Sequence, residues 1–132
     1  MTYHIQQCIS CKSNISGELH HCGFSDMEAI YCERCPNVLL IKDFEFYNRI
    51  EVKFPNIVAG DDDWLEYNKH LLPYFEAAEK HLPLCSCGGH FRYMAAVRCP
   101  ICLQYIFGKG YEDKPIYRDI RNAFITKEAT YI

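Results

Sequence analysis

The sequence predicts a small α+β protein held together by bound metal as much as by a hydrophobic core. Three observations lead there. Nine of the 132 residues are cysteine, and eight of them stand in four close pairs. The middle of the chain carries a strand-like alternation followed by a helical apolar stripe. The composition, 49% hydrophobic and 23% charged, is that of a folded chain and excludes a disordered one. A mass of 15.5 kDa fits one domain and excludes a TIM barrel or a full-size dinucleotide-binding enzyme. The organisation read from these features is a first cysteine module at residues 1–37, an insert at 38–82 and a second module at 83–132, all sharing one core.

The first module contains Cys8-Ile9-Ser10-Cys11 and Cys32-Glu33-Arg34-Cys35, separated by 20 residues. Two cysteines two residues apart, with a tight turn between them, aim both sulfurs at one point. Two such knuckles on neighbouring hairpins supply a tetrahedron of thiolates. On this reading Cys8, Cys11, Cys32 and Cys35 hold one ion. His20, His21 and Cys22 lie between the pairs and read as a hairpin tip with a spare thiol. The competing reading makes one of the three a substitute ligand.

The insert begins with the apolar run Val38-Leu39-Leu40-Ile41. Phe44, Phe46, Ile50, Val52 and Phe54 then alternate with Glu45, Glu51 and Lys53, so residues 38–58 read as strand. Asp61, Asp62 and Asp63 read as a helix start, since Asp is a good N-cap and acidic groups favour the positive end of the helix dipole. Trp64, Asn68, Leu71, Phe75, Ala78 and Leu82 follow at spacings of 4, 3, 4, 3 and 4, one face of a helix. Pro73 within that stripe implies either a kink or a junction between two helices.

The second module pairs Cys85-Ser86-Cys87 with Cys99-Pro100-Ile101-Cys102, separated by 11 residues. Gly88 and Gly89 suit a sharp reversal after a knuckle. Residues 90–95 read as the strand that carries the chain to Cys99. On this reading Cys85, Cys87, Cys99 and Cys102 hold a second ion. Beyond it, Ile116, Ile120, Ala123 and Phe124 fit a short helix starting at Pro115, although 124–126 reads equally well as strand.

These cysteine patterns resemble the zinc-ribbon class, over roughly residues 5–37 and 83–106. The single residue between Cys85 and Cys87 departs from the usual gap of two. The resemblance implies two structural Zn²⁺ ions and short hairpins. It is poor for function, because zinc ribbons occur in transcription factors, ribosomal proteins, enzymes and adaptors. A catalytic zinc keeps an open position beside three protein ligands, whereas each set here offers four thiolates. The zinc deaminase pattern requires His-x-Glu ahead of Pro-Cys-x-x-Cys, and Arg98-Cys99-Pro100-Ile101-Cys102 does not fit it. A non-enzymatic protein is therefore expected.

Charge and partners come last. The formal net charge is −3, and two ions each held by four thiolates take it to about −7. The insert carries 5 basic and 9 acidic side chains, and residues 83–132 carry 7 and 4. Asp61, Asp62 and Asp63 with Trp64, Glu66 and Tyr67 form a candidate surface for a basic protein partner, because aromatic residues anchor and acidic ones steer. Arg92, Arg98, Lys109, Arg118, Arg121 and Lys127, with Tyr93, Tyr105 and Tyr117, form a weaker candidate face for nucleic acid. The first residues contain no signal-peptide pattern, and Val38-Leu39-Leu40-Ile41 is far too short to span a bilayer. A cytoplasmic setting is expected, in which paired cysteines are metal ligands before they are disulfides. The expected function is a zinc-binding protein–protein interaction module, within that class a cytoplasmic inhibitor or immunity protein that occludes a partner's active or basic surface. A zinc-ribbon nucleic-acid-binding or transcription-accessory protein is the alternative.

Overall fold

Two antiparallel hairpins and one amphipathic helix organise the molecule. The computed structural model describes residues 2–21, 28–43, 45–55, 64–107 and 122–132. Strands β1 (Thr2–Gln7) and β2 (Asn14–His21) form the first hairpin. Strand β6 (Asn122–Ile125) joins β2 to complete a three-stranded antiparallel sheet, order β1-β2-β6. Strands β3 (Glu28–Cys32) and β4 (Val38–Ile41) form the second hairpin. It is flanked by the two-residue β5 (Phe91–Arg92) on β3 and by β7 (Ala129–Tyr131), parallel, on β4. The second sheet therefore runs β5-β3-β4-β7.

The second sheet lies between two apolar clusters, because strand side chains alternate between faces. Tyr31, Val38 and Leu40 pack with Ile15, Ala123 and Phe124 of the first sheet and with Val97 and Ile106. Ile30, Leu39 and Ile41 point the other way, onto Leu71, Phe75 and Ala78 of the long helix (residues 64–79) and onto Phe46, Phe91 and Tyr93. Every residue of β4 is consequently buried, which explains its unbroken apolar run.

Helix α2 (Trp64–Glu79) runs continuously through Pro73, so the two-helix alternative is not what forms. Leu71, Phe75 and Ala78 of the predicted stripe are its buried face. The alternation over 38–58 is misleading. The strand ends at Ile41, and the chain turns into the four-residue helix α1 (Phe46–Arg49). Asp43 causes the turn: its carboxylate accepts the Glu45 N–H at 2.9 Å and its carbonyl the Phe46 N–H at 3.1 Å. Glu51, at φ 58°, then reverses the chain. Phe46 and Phe54 still reach the helix-side cluster, but from helix α1 and an irregular segment. At the other end, Ala123 and Phe124 lie in strand β6 rather than in a helix. The predicted helix start at Pro115 and the Asp61–63 cap lie outside the described residues.

A polar chain ties α2 and α1 to the sheet. Tyr47 donates its hydroxyl proton to Glu28 and stands 2.6 Å from the Tyr93 hydroxyl. The Tyr93 N–H donates to Glu79 at 2.9 Å, and Arg92 lies between Glu79 and Glu33. Burial pushes both tyrosines well above the ordinary phenol range, so they remain neutral donors. Tyr93 also stacks on Phe75 at 4.8 Å.

Candidate metal centre

Each of the four cysteine pairs occupies a hairpin tip, and the backbone shows why. The Cys8 N–H bonds to the Ser13 carbonyl, Cys32 to Asn37 and Cys99 to Gln104, each five residues on. Cys85 bonds to Gly89, four residues on. Removing one residue between the cysteines thus shortens the closing bond by one residue and leaves the tip intact. The residue after the second cysteine turns left-handed in three of the four tips: Lys12 at φ 64°, Leu103 at φ 63° and Gly88 at φ 88°. Only glycine adopts that conformation without steric cost, so the turn after Cys87 is the least strained of the three. At the next position a Cβ on Gly89 would sit 3.1 Å from the Cys32 sulfur. The first glycine serves the turn and the second the close approach.

The tips meet in a nested arrangement. Cys8, Cys11, Cys99 and Cys102 form one tetrad, and Cys32, Cys35, Cys85 and Cys87 form the other. We refer to them as the outer and inner tetrads, from their order along the chain. This corrects the expected grouping of Cys8 and Cys11 with Cys32 and Cys35, and of Cys85 and Cys87 with Cys99 and Cys102. The first two tips belong to hairpins in different sheets, so they never face each other. Strand β5 pairs with β3, opposing Phe91 to Cys32, and so delivers the Cys85–Cys87 tip to the Cys32–Cys35 tip. The Ile9 N–H bonds to the Ile106 carbonyl at 2.9 Å, which sets the remaining two tips side by side.

Within each tetrad all four sulfurs lie within 4.8 Å of one another, and either set can hold a metal ion. In the outer tetrad Cys8 and Cys102 are 3.7 Å apart, and Cys11 and Cys99 3.8 Å. The corresponding inner separations are both 3.5 Å. Backbone N–H groups two residues on donate to the sulfurs of Cys32, Cys35, Cys87 and Cys99 at 3.3–3.4 Å. Such donors stabilise thiolates over thiols.

Proton affinities diverge within each set. Hydrogen bonds from Ser13 lower the Cys11 thiol to about 6. Burial is the largest influence on Cys85 and raises it, yet Cys87 and Asn37 donors bring it down to about 7. Burial pushes Cys32 and Cys35 up. The Gln104 backbone donor favours the Cys102 thiolate, but burial and three neighbouring thiols outweigh it and leave that group at about 11. Four thiols this close titrate as a set, and a divalent cation displaces the shared protons.

Two supporting residues carry no sequence signal of the cysteine kind. Asn37 is buried and donates through Nδ2 to the Cys85 sulfur at 3.3 Å and to Ser86 at 3.1 Å. Its Oδ1 accepts the Glu128 N–H at 3.2 Å, tying the inner tetrad to the segment entering β7. Arg98 donates to the Glu33 carbonyl at 2.7 Å and to the Leu103 carbonyl at 2.8 Å, and lies 4.3 Å above the Tyr105 ring. Its immediate place before Cys99 is the only trace in the sequence.

The chain belongs to the family described as a domain of unknown function, DUF8255. The match spans residues 4–107, which takes in both tetrads and ends before β6. No curated protein and no solved structure matches the chain.

The other candidate residues are placed as follows. His20 lies in β2 opposite Ala123 and outside both tetrads. Cys22 falls outside the described residues, as do Asp61, Asp62, Asp63, Lys109, Tyr117, Arg118 and Arg121. Trp64, Glu66 and Tyr67 are in α2, but their side chains are outside the description. Arg92 and Arg98 of the candidate basic face are engaged internally, by Glu33 and Glu79 and by backbone carbonyls. Among the described residues no helix is long and apolar enough to cross a membrane.

The rims of the two tetrads differ in character. Around the outer one Ile9, Ile101, Leu103 and Phe107 are all exposed, by 46–63%. Around the inner one the exposed residues are of mixed character: Arg34, Ser86, Gly88 and His90, with Leu84 64% exposed beside Cys85.

Proposed function

We propose that this protein is a non-catalytic interaction module in which two zinc ions do structural work and the outer tetrad presents the contact surface. The observation that carries the reading is the exposure of Ile9, Ile101 and Leu103 on the hairpin tips that carry Cys8, Cys11, Cys99 and Cys102, with exposed Phe107 just beyond. Large aliphatic and aromatic side chains on turns have little intramolecular use, whereas a rim of them around a rigid centre suits a partner's apolar surface.

Zinc is the ion that fits the donor set. Four thiolates at Zn–S bonds of about 2.3 Å define a tetrahedron with edges of about 3.8 Å. Two sulfur separations in each tetrad, 3.5–3.8 Å, are close to that edge, and all six lie within 4.8 Å. Soft thiolates select zinc over calcium or magnesium. Four protein ligands close each site, leaving no position for a water or substrate. The zinc would stabilise a fold whose hairpins are too short to bury a large core unaided.

A cytoplasmic inhibitor or immunity protein would use such a face to occlude a partner's active or basic surface. The nucleic-acid alternative loses support from Arg92 and Arg98, whose guanidinium groups are already committed within the fold.

The test is a tagged pull-down from the host lysate after nuclease treatment, run with the unaltered protein and with Ile101→Asp/Leu103→Asp. A protein captured stoichiometrically by the first and lost with the second, at unchanged zinc content and circular dichroism, supports the reading. Equal capture by both, or capture of nucleic acid alone before nuclease, overturns it.

A further inference from the structure

Arg98 spans the two tetrads. Its Nε donates to the carbonyl of Glu33, which lies between the inner ligands Cys32 and Cys35. Its Nη1 donates to the carbonyl of Leu103, the residue after the outer ligand Cys102. One planar guanidinium thus fixes an inner tip relative to an outer tip, held in place by the Tyr105 ring beneath it. Those carbonyls adopt this spacing only when both tips are folded.

The nesting supplies a second link. Closing the outer tetrad alone means closing the loop of residues 12–98. With the inner tetrad already closed, only residues 12–31 and 88–98 remain free between the tips. Loop-closure entropy scales as three-halves of the logarithm of length, so this roughly threefold shortening is worth about fivefold in affinity. The relation is reciprocal by linkage.

We infer that the two tetrads load zinc cooperatively and that Arg98 is the positioning residue that transmits much of the coupling. The inference rests on the metal reading of the tetrads. The charge-assisted bond from Nε to the Glu33 carbonyl is the one that crosses between the tips. The bond to Leu103 and the Tyr105 ring orient the guanidinium within the outer tip, and the crossing bond adds about tenfold to the loop contribution. The total is about fiftyfold. A protein built this way has two principal states, empty and doubly loaded.

Native mass spectrometry of the reduced full chain with one equivalent of Zn²⁺ reads the distribution directly. Coupling of about fiftyfold between otherwise similar sites leaves roughly an eighth of the chains with a single ion. Independent sites leave about half or more with a single ion. Arg98→Met removes the bridge but not the nesting, and the singly loaded fraction rises to about a third. Arg98→Lys keeps the charge and stem but loses the planar fork that the Leu103 carbonyl and the Tyr105 ring orient, and gives a value between those of the unaltered protein and Arg98→Met. It also serves if the Met variant fails to take up two ions at saturation. No bound zinc at any ratio refutes the metal reading itself. Two ions with half or more of the chains singly loaded refute cooperativity. A low singly loaded fraction that neither variant raises refutes the role of Arg98.

Discussion

The inner and outer tetrads are built from the same kind of hairpin tip, yet their surroundings differ. The inner one joins β3, β4 and β5 in a single sheet, and Cys32 and Cys85 belong to the cluster that also holds α2. A buried asparagine braces it, and its rim mixes Arg34, Ser86 and His90 with one exposed aliphatic, Leu84. The outer one joins the tip of the β1–β2 hairpin to the tip formed by residues 97–106, and its rim is apolar. Both sets are anchored in a core cluster, Cys8 and Cys99 in one and Cys32 and Cys85 in the other; on the proposed reading the outer one would in addition carry the contact surface. What separates them is the set of residues between and after the cysteines, since the cysteines themselves are alike.

The largest expected effect concerns stability. Cys85→Ser removes an inner ligand from a site joined to the α2 side of the core, and should cost about 4 kcal/mol or more. Chemical denaturation followed by circular dichroism reads it. A loss below about 1 kcal/mol contradicts a structural metal there. The next effect is on binding. Ile101→Asp with Leu103→Asp should weaken a captured partner by about 2–4 kcal/mol, the range of a central contact. Both positions are exposed, so stability should move by no more than about 0.5 kcal/mol. A titration of the purified pair, set beside a thermal melt, separates the two. Equivalent substitutions at the inner rim, Arg34→Asp for example, should leave binding unchanged.

Asn37→Ala comes third. It strips a donor from the Cys85 sulfur and leaves the Glu128 N–H without its acceptor, at an expected cost of about 2 kcal/mol. Asn37→Asp keeps the acceptor but sets a carboxylate against a thiolate, and should also release inner zinc more readily to a chelator.

The reading of the cysteines explains how much of this was legible. That eight cysteines form two sets of four follows from their pairing in sequence, because recurring close pairs have few other uses. Which pairs share an ion does not follow. It depends on β5 meeting β3, and a strand of two residues carries no periodicity from which to predict it. The stripe of α2 was legible because helical spacing over four turns is a strong signal. Among the described residues the strand predicted over 38–58 ends at Ile41, where the side-chain turn made by Asp43 with the Glu45 N–H outweighs the alternation. Asn37 and Arg98 were illegible as supports. Their partners are sulfur and carbonyl atoms 5 to 65 residues away, and single polar residues carry no pattern. The apolar rim was visible only as scattered hydrophobic residues until the fold brought Ile9 beside Ile106.

The smallest effect is one of pH. Burial raises the Glu33 carboxyl, but Arg92 and the His90 N–H more than offset this and hold it below its ordinary value of 4.5. A carboxyl with a lowered folded pKa contributes stability that is complete above the unfolded value and is lost as pH falls through the folded one. The unaltered protein should therefore exceed Glu33→Gln at pH 7 and converge with it below about pH 4. The pair is partly exposed, so the difference at neutral pH should stay under about 1 kcal/mol. Taking the difference between the two proteins at each pH removes the acid release of metal common to both. A gap that widens on acidification contradicts the assignment.

The central claim is that eight named cysteines hold two zinc ions in nested tetrads. X-ray absorption at the zinc edge, on protein whose zinc content has been measured, tests it most directly. The account predicts two zinc ions per chain, each with four sulfur neighbours at about 2.3 Å and no nitrogen or oxygen in the first shell. Cys11→Ser should reduce the average sulfur count at one ion, whereas substitution of Cys22 should leave the spectrum unchanged. A mixed sulfur and nitrogen shell, or one zinc per chain, would contradict it.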